Sequence, residues 1–408
     1  MVLRSFDFVW GADMEENTRE YRRHVRAFAF LRWLCMPFVK WKFNLSCEDI
    51  SDIEGPYLLL SNHNTDFDPA FLGQAMKKQA YFVATENITR MGLAGRFLVY
   101  FLRPIIHYKG RAGINTVKEI LRELKSGHNV CMFPEGNRSF NGLTNPIVAT
   151  TGRLAKKSGA SLVTYRLDGG YFSSPRWSCT FRKGKITGKK VHVYTPEMLR
   201  LMSENEINEA IRKDLYVDAY AEQEREPVRY RGKNLAEGIE SAVFMCPRCR
   251  RIGTMHGHGN DITCTCGFHA VYDEYGYLQE DSGKKVTVTE IDAQQQKLIE
   301  SLLTKDADEV LFSDSITAQE IDNATHAVIS SSEVKMTAFP GRFTIGEENV
   351  PFSEITGLSI HTRNTLIMYC MNGAKHIDIK GPASFSALKY LYLYQKSLSH
   401  RDTGYEKI

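Results

Sequence analysis

The chain has 408 residues, 43% of them hydrophobic, so it has enough apolar mass for two or three folded domains and is not a disordered segment. A formal net charge of +4 excludes the strongly basic profile of a dedicated nucleic-acid binder. Met1 to Gly11 lack the basic start and apolar core of a secretory leader, so the nine cysteines read as thiols of a reducing compartment, without disulfides.

No run reaches about 18 uninterrupted apolar residues, so no spanning helix is expected. The first notable element, Arg26 to Phe43, instead mixes bulky aromatics with Arg and Lys. It reads as an interfacial segment whose aromatics enter the acyl boundary while Arg26, Lys40 and Lys42 meet anionic headgroups. Tyr57-Leu-Leu-Leu-Ser61 is a short buried strand, and its end carries Ser61-Asn-His-Asn-Thr-Asp-Phe-Asp-Pro69. His63 then sits at the carboxyl end of a strand, where open α/β sheets keep their sites, and Asp68 opens the helix that follows, expected near 68–78. A neutral imidazole can take a proton from an alcohol near neutral pH, and a carboxylate on its other nitrogen fixes the tautomer and stabilises the imidazolium. Asp66 competes for that position.

Ala80 to Ala84 is the next strand, followed by a helix near 93–102, of which Arg96 to Arg103 is a second aromatic and basic stretch open to interfacial or core readings. A strand at Ile105 to Tyr108 and a helix near 114–125 lead to the buried strand Asn129-Val-Cys-Met-Phe133, which Pro134-Glu-Gly136 breaks into a turn. Arg138 follows at once. Its planar fork suits a phosphate, and amides freed by the glycine turn add uncharged donors. Glu135 is read as orienting the loop or receiving a substrate hydroxyl. Leu162 to Tyr165 gives another strand, and Leu167 to Trp177, rich in turn formers and aromatics, a loop over a cleft, at a membrane surface or merely exposed. A strand at Lys190 to Tyr194, a helix opened by Thr195-Pro-Glu and a continuous helix from Asn205 to Ala221 complete an α/β unit with a largely parallel sheet.

Cys246-Pro-Arg-Cys249, then 14 residues, then Cys264-Thr-Cys266 lie among short β-like pieces. Thiolates on two tight knuckles can close a tetrahedron around zinc, and a segment this poor in core needs a metal to fold. Cys246, Cys249, Cys264 and Cys266 are the expected ligands of a structural zinc, with His256, His258 or His269 as substitutes for one of them. Ile291 to Leu303 reads as a connecting helix. From about 305, seven short alternating runs (309–312, 326–329, 333–336, 342–345, 357–360, 365–369 and 376–379) precede an amphipathic helix from Ser384 to about Leu398.

The two motifs around His63 and Arg138, in this order and about 70 residues apart, resemble the glycerolipid acyltransferase family that includes 1-acylglycerol-3-phosphate acyltransferases. That family carries Asn-His-x4-Asp and Phe-Pro-Glu-Gly-Thr-Arg-Ser, and this chain departs only at Asn137, where threonine is usual. The resemblance implies an acyltransferase-type α/β sandwich with His63 and Asp68 catalytic, and Glu135, Gly136 and Arg138 binding substrate. Lys109 and Arg111, after Pro104-Ile-Ile-His-Tyr108, correspond to a further basic motif of the family. It also implies acyl-CoA or acyl carrier protein thioester as co-substrate, a lysophospholipid acceptor, no catalytic metal or organic cofactor, and a cytoplasmic protein, peripheral or monotopic on a membrane's inner face. The segment after it resembles a zinc ribbon, and the last strands with their helix resemble a PH/GRAM-like β domain by pattern. The expected division is 1–235, 236–285 and 286–408, with catalysis within the first part. The competing expectation is an inactive acyltransferase-fold scaffold whose ribbon and β domain bind a partner, lipid or nucleic acid.

Overall fold

The protein, represented by a computed structural model, is described for residues 6–108, 113–323 and 325–405. Its first unit is built on strands β1 (Leu45–Cys47), β2 (Tyr57–Ser61), β3 (Ala80–Thr85), β4 (Ile105–His107), β5 (Asn129–Met132), β6 (Ser161–Asp168) and β7 (Ile186–Tyr194). They form one sheet in the order β1-β7-β6-β2-β5-β3-β4, parallel throughout except for the β6–β7 pair. The helices are α1 (Phe6–Phe43), α2 (Asp68–Ala75), α3 (Gly92–Leu102), α4 (Ile114–Lys125), α5 (Thr151–Ser158), α6 (Gly170–Ser173), α7 (Pro196–Leu201), α8 (Glu204–Leu215) and α9 (Ala219–Arg225). Every residue of β2 is buried, as an apolar strand covered on both faces should be. One face packs Val39, Phe43, Phe71 and Leu72 from α1 and α2, and the other packs Ile120, Leu154 and Ile211 from α4, α5 and α8.

The expected helix over 205–221 is two helices. Between them the carbonyl of Val217 accepts from Thr144 N at 3.0 Å, Asp218 pairs with Leu143, and the Asp218 side chain caps α9. Long-range pairing of this short stretch overrides its helical spacing.

α1 is a 38-residue helix containing Pro37, longer than the aromatic stretch alone suggested. Phe43, at its end, packs on Phe67 and Phe71. Its outer side exposes Phe30, Trp33, Leu34, Phe38 and Trp41, and α3 beside it exposes Leu93, Phe97 and Tyr100. No helix among the described residues is long and apolar enough to cross a membrane.

Downstream, β8 (Met255–His258), β9 (Asp261–Cys264), β10 (His269–Tyr272), β11 (Leu278–Glu280) and β12 (Lys285–Val286) make a small antiparallel sheet. α10 (Val288–Leu302) leads to a C-terminal β domain with β13 (Phe312–Ile321), β14 (Val328–Phe339), β15 (Arg342–Ile345), β16 (Glu348–Pro351), β17 (Ile355–His361), β18 (Thr365–Cys370) and β19 (Lys375–Lys380), covered by α11 (Ala387–Tyr405). The seven strands form one sheet, with each neighbouring pair antiparallel. The runs at 326–329 and 333–336, expected as separate strands, are one strand, because Ser330 to Ser332 between them continue the ladder with β13. The apolar core does not stop at residue 235 or 285: one cluster runs from Phe140, Phe172 and Trp177 through Val243, Ile262 and Ile291 to Phe343 and Tyr394.

Candidate active site

β2 and β5 are hydrogen-bonded neighbours running parallel, so the loops leaving their carboxyl ends emerge side by side, and this brings together motifs about 70 residues apart. Asn62 fixes how the first loop departs: its amide donates to Leu167 O and accepts from Leu167 N on β6, both at 2.8 Å. His63 follows, partly exposed, with Nδ1 2.8 Å from Oδ2 of the buried Asp68. That oxygen also accepts from the backbone N–H groups of Asn64 at 2.6 Å and Thr65 at 2.9 Å, while Oδ1 accepts from Thr65 Oγ1 at 3.1 Å. A carboxylate acceptor makes Nδ1 the protonated ring nitrogen. Among the described residues nothing hydrogen-bonds Nε2, which is left to accept a proton. The imidazole lies over the Phe133 ring at 4.3 Å between centroids and 18° between planes, so the two motifs also stack.

The second loop turns at Gly136, which has φ of +67°, a conformation that disfavours other residues. Its N–H closes the turn on Phe133 O at 3.2 Å, so this amide, expected among the phosphate donors, is used within the loop. Glu135 points inward. Oε1 accepts from His63 N at 2.6 Å, and Oε2 accepts from Asn145 N at 2.6 Å and Asn145 Nδ2 at 3.2 Å. Burial pushes its carboxyl up to about 8, against the pull of those three donors. Of the two roles expected of Glu135, orientation of the loops is the one its contacts match. Arg138, its side chain only 14% exposed, has Nη1 3.0 Å from the well-exposed carboxylate of Asp66. The two carboxylates of the first motif thus divide: Asp68 holds His63 and Asp66 holds Arg138. Lys109 and Arg111 lie outside the described residues.

Sequence reasoning missed what lies behind this cleft. Leu167 to Trp177 is not a surface loop. Gly169 and Gly170 turn the chain against the first motif, where a Cβ on Gly170 would meet Asn64 Cβ at 3.1 Å, and Tyr171, Phe172 and Trp177 are buried. Arg176 within it is also buried. Its side chain donates to Arg138 O at 3.1 Å, Ile360 O at 2.6 Å and Thr362 O at 3.4 Å, and lies over the Phe140 ring. Only the density of aromatics around it in the sequence hinted that this segment was core.

A second cluster stands apart from the cleft. Cys246 and Cys249 on one turn and Cys264 and Cys266 on another bring four sulfurs within 4.8 Å of one another, with 3.7 Å from Cys246 to Cys266 and 3.8 Å from Cys249 to Cys264. These separations are far from a disulfide of about 2.05 Å. A metal with four sulfurs at about 2.3 Å makes a tetrahedron with edges of about 3.8 Å, the length of the two separations given. His269, a candidate substitute, has both ring nitrogens on carboxylates, Asp281 at 2.7 Å and Asp261 at 3.0 Å.

With the cleft and its two loops in view, residues 42–168 match the family model for acyltransferases, a span containing both motifs and ending before Arg176 and the cysteines. This segment is an acyltransferase domain, similar to part of the 1-acyl-sn-glycerol-3-phosphate acyltransferases. Two relatives are chloroplastic 1-acyl-sn-glycerol-3-phosphate acyltransferases: one from Brassica napus, 27% identical over 158 residues (36% of this chain, 44% of the relative), and one from Arabidopsis thaliana, 26% identical over 154 residues (36% and 42%). The chain therefore spans less than half the length of these relatives. Among solved structures, it is similar to the 1-acyl-sn-glycerophosphate acyltransferase PlsC from Thermotoga maritima, at TM-score 0.41 and 19% identity, over 50% of this chain and 81% of that one.

Proposed function

We propose that this protein is a membrane-associated O-acyltransferase that moves a fatty acyl group from a thioester to the free hydroxyl of a lysophospholipid. The preferred acceptor in this reading is 1-acylglycerol 3-phosphate and the product phosphatidic acid. The observation that carries it is the His63–Asp68 pair, with Nε2 open, beside Arg138 on the neighbouring loop. In this scheme Nε2 takes the proton of the acceptor hydroxyl as its oxygen attacks the thioester carbonyl. The tetrahedral intermediate then collapses, the C–S bond breaks, and the imidazolium returns the proton to the departing thiolate. Asp68 stabilises the imidazolium between those steps. Arg138 exchanges its exposed partner Asp66 for the acceptor phosphate, a favourable swap because a planar fork on a phosphate is a strong, two-bond contact and the released Asp66 carboxylate is already well solvated. No metal or organic cofactor has a part in this scheme, and either a coenzyme A or an acyl carrier protein thioester offers the same electrophile.

The same proposal covers the rest of the chain. The four cysteines hold a structural zinc in a ribbon, and the seven-stranded sheet with its covering helix is a PH/GRAM-like domain, giving units 1–235, 236–285 and 286–408. The exposed aromatic side of α1 and α3 is the membrane-facing surface. At its end an open cleft of about 520 Å³ is lined by Arg19, Arg22, Arg23, Arg26, Phe97 and Phe101, suited to anionic headgroups above acyl chains. The test is product mass spectrometry with purified protein, mixed lysolipids and glycerol 3-phosphate, and both acyl donors, alongside His63→Ala. Phosphatidic acid from the wild type and almost none from the variant is expected. Near wild-type turnover by the variant would end this reading.

A further inference from the structure

The Arg138 loop is anchored at one end to the acyltransferase sheet and at the other to the C-terminal half of the chain. Ser139 N donates to His63 O at 3.2 Å, but the next two residues look the other way. Phe140 belongs to the core shared with the β domain. Asn141 O accepts from Thr289 Oγ1 at 2.6 Å, and Asn141 Nδ2 donates to Asp292 Oδ2 at 2.9 Å, both partners on α10. Asp292 is fixed in turn by Gln296 at 2.8 Å and by the Tyr392 hydroxyl of α11 at 2.9 Å. Between these anchors sits Arg176. One of its nitrogens holds the Arg138 carbonyl, and the others hold the carbonyls of Ile360 and Thr362, where β17 turns toward β18.

A buried guanidinium needs hydrogen-bond partners, and here each of its three nitrogens donates to a backbone carbonyl, the three carbonyls coming from two parts of the chain. Burial and the neighbouring Arg138 charge lower Arg176 to about 9, an environment unfavourable to a cation that its contacts must outweigh. An apolar side chain there would leave those carbonyls without this donor. The placement of its donors ties the position of residue 138 to that of the β17–β18 turn.

We propose that Arg176 is a positioning residue for the phosphate clamp. Through it and the Asn141 anchors, the C-terminal β domain sets the geometry of Arg138 and thereby the protein's affinity for phosphate-bearing acceptors. This rests on the reading of Arg138 as the acceptor-phosphate ligand. Arg176 does not touch substrate, and its effect passes through Arg138.

The test compares Arg176→Met and Arg176→Lys with Arg138→Ala and the Arg138→Ala, Arg176→Met double variant. Measured are affinity for 1-acylglycerol 3-phosphate in detergent, KM and kcat with that acceptor and with a phosphate-free monoacylglycerol, and amide exchange over residues 136–141. Arg176→Met should weaken affinity and raise KM for the phosphate acceptor roughly 10- to 100-fold, the scale on which a displaced binding group acts. Its kcat should stay within about threefold, and its KM for monoacylglycerol should not change. Lys should recover part of the loss, exchange at 136–141 should quicken in Met, and the double variant should be no worse than Arg138→Ala by more than about twofold. Additive losses in the double variant, or equal losses for both acceptors, overturn the proposal. If Arg176→Met does not fold, Thr289→Val loosens the same loop from the α10 side and should shift affinity in the same direction; unchanged affinity with faster exchange would count against it. Should the protein transfer no acyl group at all, the proposed activity fails, while the affinity and exchange measurements still decide this coupling.

Discussion

Asp68→Asn separates the two tasks of the Asp68 carboxylate. The side chain is buried and its four donors are fixed, so asparagine, nearly the same shape, can enter only with its carbonyl oxygen in the Oδ2 position facing His63, Asn64 N and Thr65 N. Its NH2 then meets Thr65 Oγ1, which can rotate its hydrogen away and accept. The loop should survive, with the two backbone N–H bonds weakened from charge-assisted to neutral, a loss of about 2 kcal/mol for the pair. Catalysis should suffer far more. The imidazolium formed during proton transfer faces a neutral amide instead of a carboxylate 2.8 Å away, and kcat should fall by about 10²- to 10⁴-fold, the share that a general base contributes. The assay is initial-rate acyl transfer to 1-acylglycerol 3-phosphate, with denaturant unfolding in parallel to confirm a folded variant. A folded Asp68→Asn protein with kcat within about threefold of wild type would refute the assignment of His63 as the base.

Asp66→Asn should lower KM for phosphate-bearing acceptors by about two- to fivefold, because it removes the well-exposed carboxylate that occupies Arg138; a raised KM would show that Asp66 helps bind the acceptor. Cys246→Ser combined with Cys249→Ser should reduce zinc, measured by elemental analysis, well below one per chain, and undiminished stoichiometric zinc contradicts the four-sulfur site. Glu135 is held at about 8 in the fold against an ordinary 4.5, so between those values the folded protein keeps a proton that the unfolded chain has released. Its contribution to stability is therefore complete below about pH 4.5 and declines by roughly 1.4 kcal/mol per pH unit toward pH 8. Glu135→Gln should flatten that decline in denaturant midpoints taken at pH 5, 6.5 and 8; parallel curves for the two proteins would contradict it.

The residues of the cleft were legible because each is announced by local chemistry. A histidine after an apolar strand, an aspartate opening a helix and a proline-glycine turn before an arginine can be read over a few neighbours, and parallel β2 and β5 then carry them together. The paired cysteines were legible for the same reason. What escaped depends on distant partners. Nothing near Arg176 announces carbonyls at 360 and 362, and nothing near Leu215 announces that Val217 will pair with Thr144 and end a helix. The aromatics of 171–177 were visible, but whether they faced membrane, cleft or core was decided by Val243, Ile262 and the other residues that bury them. The boundary at 235 separated the α/β pattern from the cysteine segment, and the core crosses it.

That shared core bears on how the chain comes to be made. His63, Asp68 and Arg138 are made well before α10 and the β domain, and strands β2 and β5, whose ends carry them, are complete by Met132. The far wall of the Arg138 loop is built from α10, the β17–β18 turn and Tyr392, all of which follow the acyltransferase sheet in the chain. A chain made only as far as the acyltransferase sheet would hold the His63–Asp68 pair without the contacts that fix the loop bearing Arg138 from behind.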